Sequence, residues 1–292
     1  MIDIQTLLKR TPILFDGAMG TELQKKGLEV GHAPELLNIE NPEVIKSIHL
    51  DYLNAGSSVI ETNSFGANAK RLELSGLQER VFELNFQAAK IAKELKRENT
   101  FVAGSMGPLG VVIEPFGDIA KDEAKEIFKV QADALIKGGI DFILVETMIF
   151  LEEAITALKA AKEAGAKTVG VSLTFEVNGD EIRTPFGDSL IDCIEKLQDE
   201  GASFIGSNCG NGFDQMETIA ATLKENSHIP ILVQPNAGLP HLTDGIMVYD
   251  EKPEAFAEFA LFAKSLGVEF IGGCCGTNKD HINAAAKLLG LI

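Results

Sequence analysis

The chain has 292 residues, of which 45% are hydrophobic, and its 43 acidic and 26 basic side chains give a formal net charge of −17. A surface this acidic repels nucleic acid and anionic membranes, so we expect neither as a partner. No apolar run reaches the roughly 18 to 20 residues that span a bilayer, and the first residues lack the apolar stretch of a signal peptide. We therefore expect a cytoplasmic protein.

Short apolar runs alternate with longer helical patterns along the chain, and no break in composition marks a domain boundary. Each short run is continuously apolar, as is usual for a parallel strand that is buried on both faces. The candidate strands are 13–15, 58–61, 101–105, 141–146, 168–174, 203–208, 231–234 and 268–272.

Helical patterns lie between these strands, for example at 121–137, 151–164, 189–200 and 253–265. Several of them end at a glycine, where a left-handed C-terminal cap is common. Eight strand–helix units in a chain of this length predict a single (β/α)8 TIM barrel that forms one domain over residues 1–292.

Such a barrel places its active site where the strands end and the following loops begin. Polar and metal-binding residue types occupy these positions, whereas the strands themselves are almost wholly apolar. The candidate site residues are Asp16, Gly17, Glu61, Gly107, Glu146, Cys209, Asn236, Cys274 and Cys275.

Cys209 follows the sixth predicted strand, and the Cys274–Cys275 pair follows the eighth. The glycines on both sides of the pair permit a turn that brings both thiols to one point. Three thiolates leave one position of a tetrahedral zinc ion open, as in catalytic sites, and thiolates favour zinc over magnesium or calcium. The alternatives are inert buried cysteines, which we expect for mid-helix Cys193, or a strained vicinal disulfide.

Seven short motifs together resemble the zinc-dependent homocysteine methyltransferases, in that family's order along nearly the whole chain. The resemblance is greatest to the homocysteine-binding module of the cobalamin-dependent methionine synthases. The motifs are FDGAMGT at 15–21, ETNSF at 61–65, GSMGP at 104–108, VET at 145–147, SNC at 207–209, QPNA at 234–237 and GGCCGT at 272–277.

The resemblance implies that Cys209, Cys274 and Cys275 are the zinc ligands, with Asn236 able to take the fourth position when substrate is absent. It also implies a homocysteine S-methyltransferase that works in methionine biosynthesis. A thiol is a poor nucleophile, and a zinc ion with an open position can bind the substrate sulfur as the reactive thiolate. We therefore expect no catalytic residue beyond the zinc centre.

By the same resemblance, Asp16, Gly17 and Glu146 hold the amino-acid end of homocysteine. A carboxylate can pair with the ammonium group of the substrate, and a glutamate at a strand end is unfavourable to bury without such a partner. Glu61 has a similar placement, and we expect a supporting role for it. Backbone N–H groups near Gly107 or at the start of the last helix could hold the substrate carboxylate. Asp16 could equally be a turn-forming residue in its Asp-Gly pair.

Histidines offer no alternative metal site, because their positions show no ligand spacing. We expect most of them to face solvent. They are His32, His49, His228, His241 and His281.

The residues of the chain do not decide which methyl donor is used. In the cobalamin branch of the family, methylcobalamin would arrive on a separate corrinoid protein that docks over the barrel mouth. Betaine is disfavoured, because an aromatic cage is usual for a quaternary ammonium and the chain has no Trp and only two Tyr. A sulfonium donor such as S-methylmethionine is the alternative. The residues 210–213 depart from the expected pattern, so a thiol other than homocysteine also stays open.

Two further hypotheses assign the chain to other classes of protein. A zinc-dependent protein that binds thiols without turnover would need the same cysteines and Glu146. A metal-free aldolase would need a Schiff-base lysine at a strand end, and none of the predicted strand ends carries one.

Overall fold

The computed structural model describes residues 1–29, 31–243 and 246–292 of the chain. Eight parallel strands in this part of the chain form one sheet, in the order β1-β8-β7-β6-β5-β4-β3-β2. Their bounds are β1 Ile13–Leu14, β2 Val59–Glu61, β3 Phe101–Met106, β4 Phe142–Met148, β5 Val169–Leu173, β6 Phe204–Cys209, β7 Ile231–Pro235 and β8 Phe270–Ile271.

The seam between β1 and β2 completes the ring of strands. The backbone N–H of Ser58 donates to the carbonyl of Leu14 across this seam at 2.7 Å. The fold is therefore the predicted (β/α)8 barrel, and each predicted strand is present with its ends shifted by at most two residues.

One long helix follows each strand and packs on the outside of the barrel. These helices are α1 Pro42–Ala55, α2 Val81–Glu94, α3 Lys121–Gly138, α4 Leu151–Glu163, α5 Leu190–Asp199, α6 Phe213–Asn226, α7 Pro253–Ser265 and α8 Lys279–Leu289. The predicted helices correspond to α3, α4, α5 and α7, and the glycines at 139, 165, 201 and 267 have the positive φ of a left-handed cap.

Shorter helices and strands lie in the loops between these elements. Additional α-helices are Ile4–Leu8, Gly20–Lys25, Leu37–Glu40 and Ala69–Glu73, and 3-10 turns are Pro34–Leu36 and Gln78–Arg80. Two antiparallel hairpins pair Glu176–Asn178 with Glu181–Arg183 and His241–Thr243 with Ile246–Val248. No helix in the described ranges combines the length and the hydrophobicity needed to cross a bilayer.

The interior of the barrel is filled by side chains that alternate along the strands. Phe15, Phe142, Phe204 and Phe270 form a closed cycle of ring contacts, with centroids 4.9 to 6.1 Å apart. Leu7 of the first short helix is buried in the same cluster. Since successive strand residues point to opposite faces, the residues two positions beyond the inward-facing ones line the mouth of the barrel.

Candidate metal and substrate site

The structure brings the three predicted ligand cysteines together. Their sulfur atoms all lie within 4.8 Å of one another, and those of Cys209 and Cys274 are 3.0 Å apart. Zinc–sulfur bonds of about 2.3 Å at tetrahedral angles place ligand sulfurs about 3.8 Å apart. A movement of less than about 1 Å would therefore fit these three thiols to one zinc ion, so the donor set matches that metal in type and spacing.

Backbone geometry directs the three thiols to this point. Cys209 ends β6 with φ 64, a conformation uncommon for a residue with a side chain. After β8, the N–H of Cys274 donates to the carbonyl of Pro235 at 2.8 Å, and the hydroxyl of Thr277 donates to the carbonyl of Cys274 at 2.6 Å. Gly276 then turns the chain with φ 83. These contacts fix the adjacent cysteines off the regular strand, so both can serve one metal.

Hydrogen bonds among the three thiols shift their pKa values even without a metal. Hydrogen bonds from Cys209 and Cys274 lower the pKa of Cys275 to about 3, and Tyr249 contributes a further hydrogen bond. Hydrogen bonds with Cys209 and Cys275, followed by burial, raise the pKa of Cys274. One thiolate is therefore held by two neighbouring thiols, and a divalent cation could replace their protons.

Asn236 lies beside the cysteines. Its side-chain nitrogen donates to the carbonyl of Gly210 at 2.9 Å, next to Cys209, and the N–H of Ala237 donates to the carbonyl of Cys275 at 2.9 Å. Its Oδ1 atom is buried and has no hydrogen-bond partner in the described part of the chain. An oxygen left free in this way is available to a fourth metal position.

Asp16, Glu61 and Glu146 gather in the barrel mouth, and no lysine or arginine of the described ranges pairs with them. The side chain of Gln234 donates to Glu61 at 2.7 Å, and the hydroxyl of Ser105 donates to Glu146. Because a buried carboxylate is unfavourable without a counter-charge, this cluster is suited to bind a cation.

Burial raises the pKa of all three carboxyl groups. The charges of Glu146 and Asp16 raise the pKa of Glu61 further, and the hydrogen bond between Glu61 and Glu146 raises the pKa of Glu61 and lowers that of Glu146. The hydrogen bond from Ser105 opposes the rise at Glu146. A cationic ligand would favour ionisation of the cluster.

The two predicted glycines differ in their surroundings. A side chain at Gly17 would lie within 3.0 Å of Tyr52 and Thr277, and the N–H of Gly17 donates to no protein acceptor in the described ranges. The N–H of Gly107 already donates to the carbonyl of Phe65 at 2.9 Å. A substrate carboxylate near Gly107 would therefore need a different donor, whereas Gly17 has one to offer.

Four polar residues of the mouth were missed by the sequence reasoning: Ser105, Ser172, Asn208 and Gln234. Ser105 and Gln234 lie two residues beyond the inward-facing Ala103 and Leu232. Asn208 lies four residues beyond Phe204, and Ser172 lies two beyond Gly170, where a side chain would meet the Phe204 ring. Glu146 likewise lies two residues beyond the inward-facing Leu144, so the two-residue periodicity of the strands could have identified these four polar residues as well. Three of the five histidines, His32, His228 and His241, are exposed, as expected for most of them, whereas His49 and His281 are 0% and 4% exposed. His281 belongs to the capping box of α8 rather than to the site.

Comparisons with known proteins agree with this geometry. The profile of the family "Homocysteine S-methyltransferase" matches residues 13–289. Methionine synthase of Mycobacterium leprae is 32% identical over 97% of this chain, and that of Mycobacterium tuberculosis is 30% identical over 99%. The chain spans only about a quarter of the length of these relatives, 24% and 26% respectively.

Solved structures show the same fold. The metallated form of the homocysteine methyltransferase MmuM from Escherichia coli superposes with a TM-score of 0.79 at 23% identity, over 97% of this chain and 99% of that one. Its oxidized form gives a TM-score of 0.80 at 24% identity, over 97% and 98%.

Proposed function

Because the chain belongs to the homocysteine S-methyltransferase family, we propose that it methylates homocysteine to methionine at a zinc ion held by Cys209, Cys274 and Cys275. The observation that carries the proposal is the convergence of these three sulfurs beside a buried cluster of carboxyl groups. A thiol-binding metal centre and a cation-binding group at one barrel mouth match the two ends of homocysteine.

Zinc supplies one piece of chemistry when bound: it lowers the pKa of the substrate thiol and holds the sulfur in its nucleophilic form. The cysteines would provide three ligands and leave one position for substrate. Asn236 would occupy that position through its free Oδ1 until homocysteine enters. The cytoplasm, where thiols stay reduced, is the compartment in which this donor set would persist.

The carboxyl cluster would bind the amino group of homocysteine. Asp16 and Glu146 would accept hydrogen bonds from the ammonium, and Glu61 would support Glu146 through the hydrogen bond between them. The free N–H of Gly17 would donate to the substrate carboxylate. The ammonium group and the carboxylate of homocysteine are then both held while its sulfur atom lies next to the three cysteines.

The chain needs no general base for the methyl transfer itself, since the thiol proton leaves when the substrate binds. For the donor, the resemblance of the site motifs to the cobalamin-dependent methionine synthases favours methylcobalamin carried by a corrinoid protein. S-methylmethionine is the sulfonium alternative, and methylation assays with the two donors in parallel separate them.

The test combines metal analysis with parallel methylation assays. We expect about one zinc per chain in the wild-type protein, and loss of most of it in Cys209→Ala and Cys275→Ala. Cys193→Ala is the matched control, because Cys193 is buried in α5 away from the cluster and should leave the zinc content unchanged.

Homocysteine is then offered with a methylated corrinoid protein, methylcobalamin, S-methylmethionine or betaine. We expect methionine from the corrinoid donors, and a product from S-methylmethionine alone would select the sulfonium alternative. Binding of homocysteine without a product from any donor would support a thiol-binding protein instead. Wild-type protein that contains no zinc would refute the proposal.

A further inference from the structure

Asn208 has its side-chain amide in contact with four groups at the barrel mouth. Its Oδ1 accepts hydrogen bonds from the N–H of Thr147 at 2.8 Å and from the hydroxyl of Ser172 at 2.7 Å. Its Nδ2 donates to Thr147 Oγ1 at 2.7 Å and lies 3.8 Å from the Sγ atom of Cys274. The side chain is 1% exposed, so these protein contacts account for its hydrogen-bonding capacity.

The orientation of this amide is fixed by chemistry. The backbone N–H of Thr147 can only donate, so the oxygen of the Asn208 side chain must face it. The nitrogen is therefore on the side of Cys274, and one of its N–H groups is directed at a thiol of the cysteine cluster. A flipped amide would place two donors against each other at Thr147.

Asn208 also lies next to a second cysteine of the cluster in the chain. Its backbone leads directly into Cys209, and its carbonyl accepts a hydrogen bond from the hydroxyl of Thr174 at 3.1 Å. One residue thus restrains Cys209 through the backbone and reaches Cys274 through the side chain. Groups that orient metal ligands from outside commonly tune the metal centre as well.

We propose that Asn208 is a positioning residue of the metal centre, whose side-chain N–H donates to the Cys274 thiolate and reduces its negative charge. The inference rests on the proposed function, because it requires a metal at the three cysteines. A thiolate that accepts a hydrogen bond is a weaker nucleophile. Asn208 would therefore direct methylation to the substrate sulfur rather than to the protein's own ligand.

The test uses Asn208→Ala and Asn208→Asp, with Ser172→Ala as the matched control. The Asp variant keeps the size and the acceptor oxygen but lacks the N–H group, so it stays informative if the Ala variant does not fold. Ser172→Ala removes a contact to the same amide and leaves the N–H directed at sulfur in place. Circular dichroism and unfolding curves of the metal-free proteins report any general loss of structure.

The first readout is the thiolate-to-metal charge-transfer band of the cobalt(II)-substituted proteins. Loss of the N–H group raises the energy of the thiolate electrons, so we expect a shift to longer wavelength in both Asn208 variants. Ser172→Ala should keep the wild-type band. A band at the wild-type position in both Asn208 variants, together with reduced stability, would assign Asn208 a purely structural role and overturn the inference.

The second readout is alkylation of the zinc-loaded proteins by iodoacetamide, followed by mass spectrometry of the cysteine peptides. The sulfur forms a bond to the methylene carbon as iodide leaves. We expect alkylation of Cys274 about fivefold faster in Asn208→Ala, the change expected from one lost hydrogen bond of ordinary strength. An unchanged rate at Cys274 contradicts the inference alone, whereas failure of the wild-type protein to bind metal contradicts the proposed function as well.

Discussion

The carboxylate of Asp16 accepts a hydrogen bond of 2.9 Å from the backbone N–H of Glu61. The contact lies at the seam between β1 and β2, beside the backbone hydrogen bond from Ser58 to Leu14. The second oxygen of Asp16 is buried and has no partner in the described ranges. One side chain thus joins two strand ends and also presents a free oxygen to the mouth.

Asp16→Asn and Asp16→Ala should separate these two roles. The Asn variant keeps an oxygen for the Glu61 N–H but loses the charge, so we expect stable protein that binds homocysteine at least about tenfold more weakly. The Ala variant also loses the seam contact, and its free energy of unfolding should fall by about 1–3 kcal/mol. Calorimetry and denaturant unfolding measure both effects. Wild-type affinity in the Asn variant would exclude Asp16 from the substrate site.

The stability that the three carboxyl groups of the mouth contribute to the substrate-free protein should fall as pH rises. Burial raises the pKa of Asp16, Glu61 and Glu146 in the folded state, so the folded protein holds more protons than the unfolded chain between the unfolded and folded pKa values. The contribution of these three groups to stability is greatest below their unfolded pKa of about 4 and declines until the folded pKa is passed.

Glu61→Gln should reduce this decline in stability, because the amide carries no charge. We expect the variant to be more stable than wild type near pH 8, although it should bind substrate more weakly. Unfolding curves at several pH values provide the measurement. Glu181→Gln, on the exposed hairpin, is the control and should show the wild-type slope. Equal slopes in wild type and Glu61→Gln would contradict the expected effect.

Gly276→Ala should weaken metal binding without removing a ligand. Gly276 has φ 83, and a Cβ atom there would lie 2.3 Å from the ring of Tyr249, so the Cys275 loop must shift. We expect at least a tenfold loss in zinc affinity, measured by chelator competition. Gly290→Ala is the matched control: its φ is 73 with open space around it, so only backbone strain of about 1–2 kcal/mol should appear, without loss of zinc.

Asn236→Ala should lower zinc affinity in the absence of homocysteine more than in its presence. The free Oδ1 of Asn236 fills the fourth position in our proposal only until the substrate sulfur takes it. Chelator competition with and without homocysteine measures the difference, and Asn211→Ala, on an exposed loop, should leave both affinities unchanged. An equal loss in both conditions would identify Asn236 as structural.

Phe204→Ala should destabilise the barrel by about 3–5 kcal/mol, because the ring is fully buried among the other interior phenylalanines. Phe116→Ala is the control, since that ring is 71% exposed and its removal should change the unfolding free energy by less than about 1 kcal/mol. Denaturant unfolding of the two variants tests the difference. Similar values for both would contradict the packing argument.

The barrel could be predicted from sequence because both of its signals are local. Strands buried on both faces are continuous apolar runs, and glycines such as Gly139 mark helix ends by their backbone conformation alone. The convergence of Cys209 with Cys274 and Cys275 followed from topology, because the strand ends of a barrel share one face.

The partners of the site residues could not be predicted in the same way. The hydrogen bonds of Asn208 to Thr147 and Ser172 depend on the stagger between neighbouring strands, which the sequence does not encode locally. The contact between Asp16 and Glu61 could not be predicted either, because a side chain takes the place of a backbone hydrogen bond between two strands. The complete burial of His49 could not be predicted either, because a polar residue on a helix gives little indication of a fully buried position.

The cycle of four phenylalanine rings makes the barrel a well that is closed at its base in the described part of the chain. Reactants that meet above these rings would enter and leave on the side of the barrel mouth. A large methyl donor would cover that mouth, so homocysteine should bind first and methionine should leave only after the spent donor has departed. The kinetic order of the two substrates would then be set by the packing of side chains that take no part in the reaction.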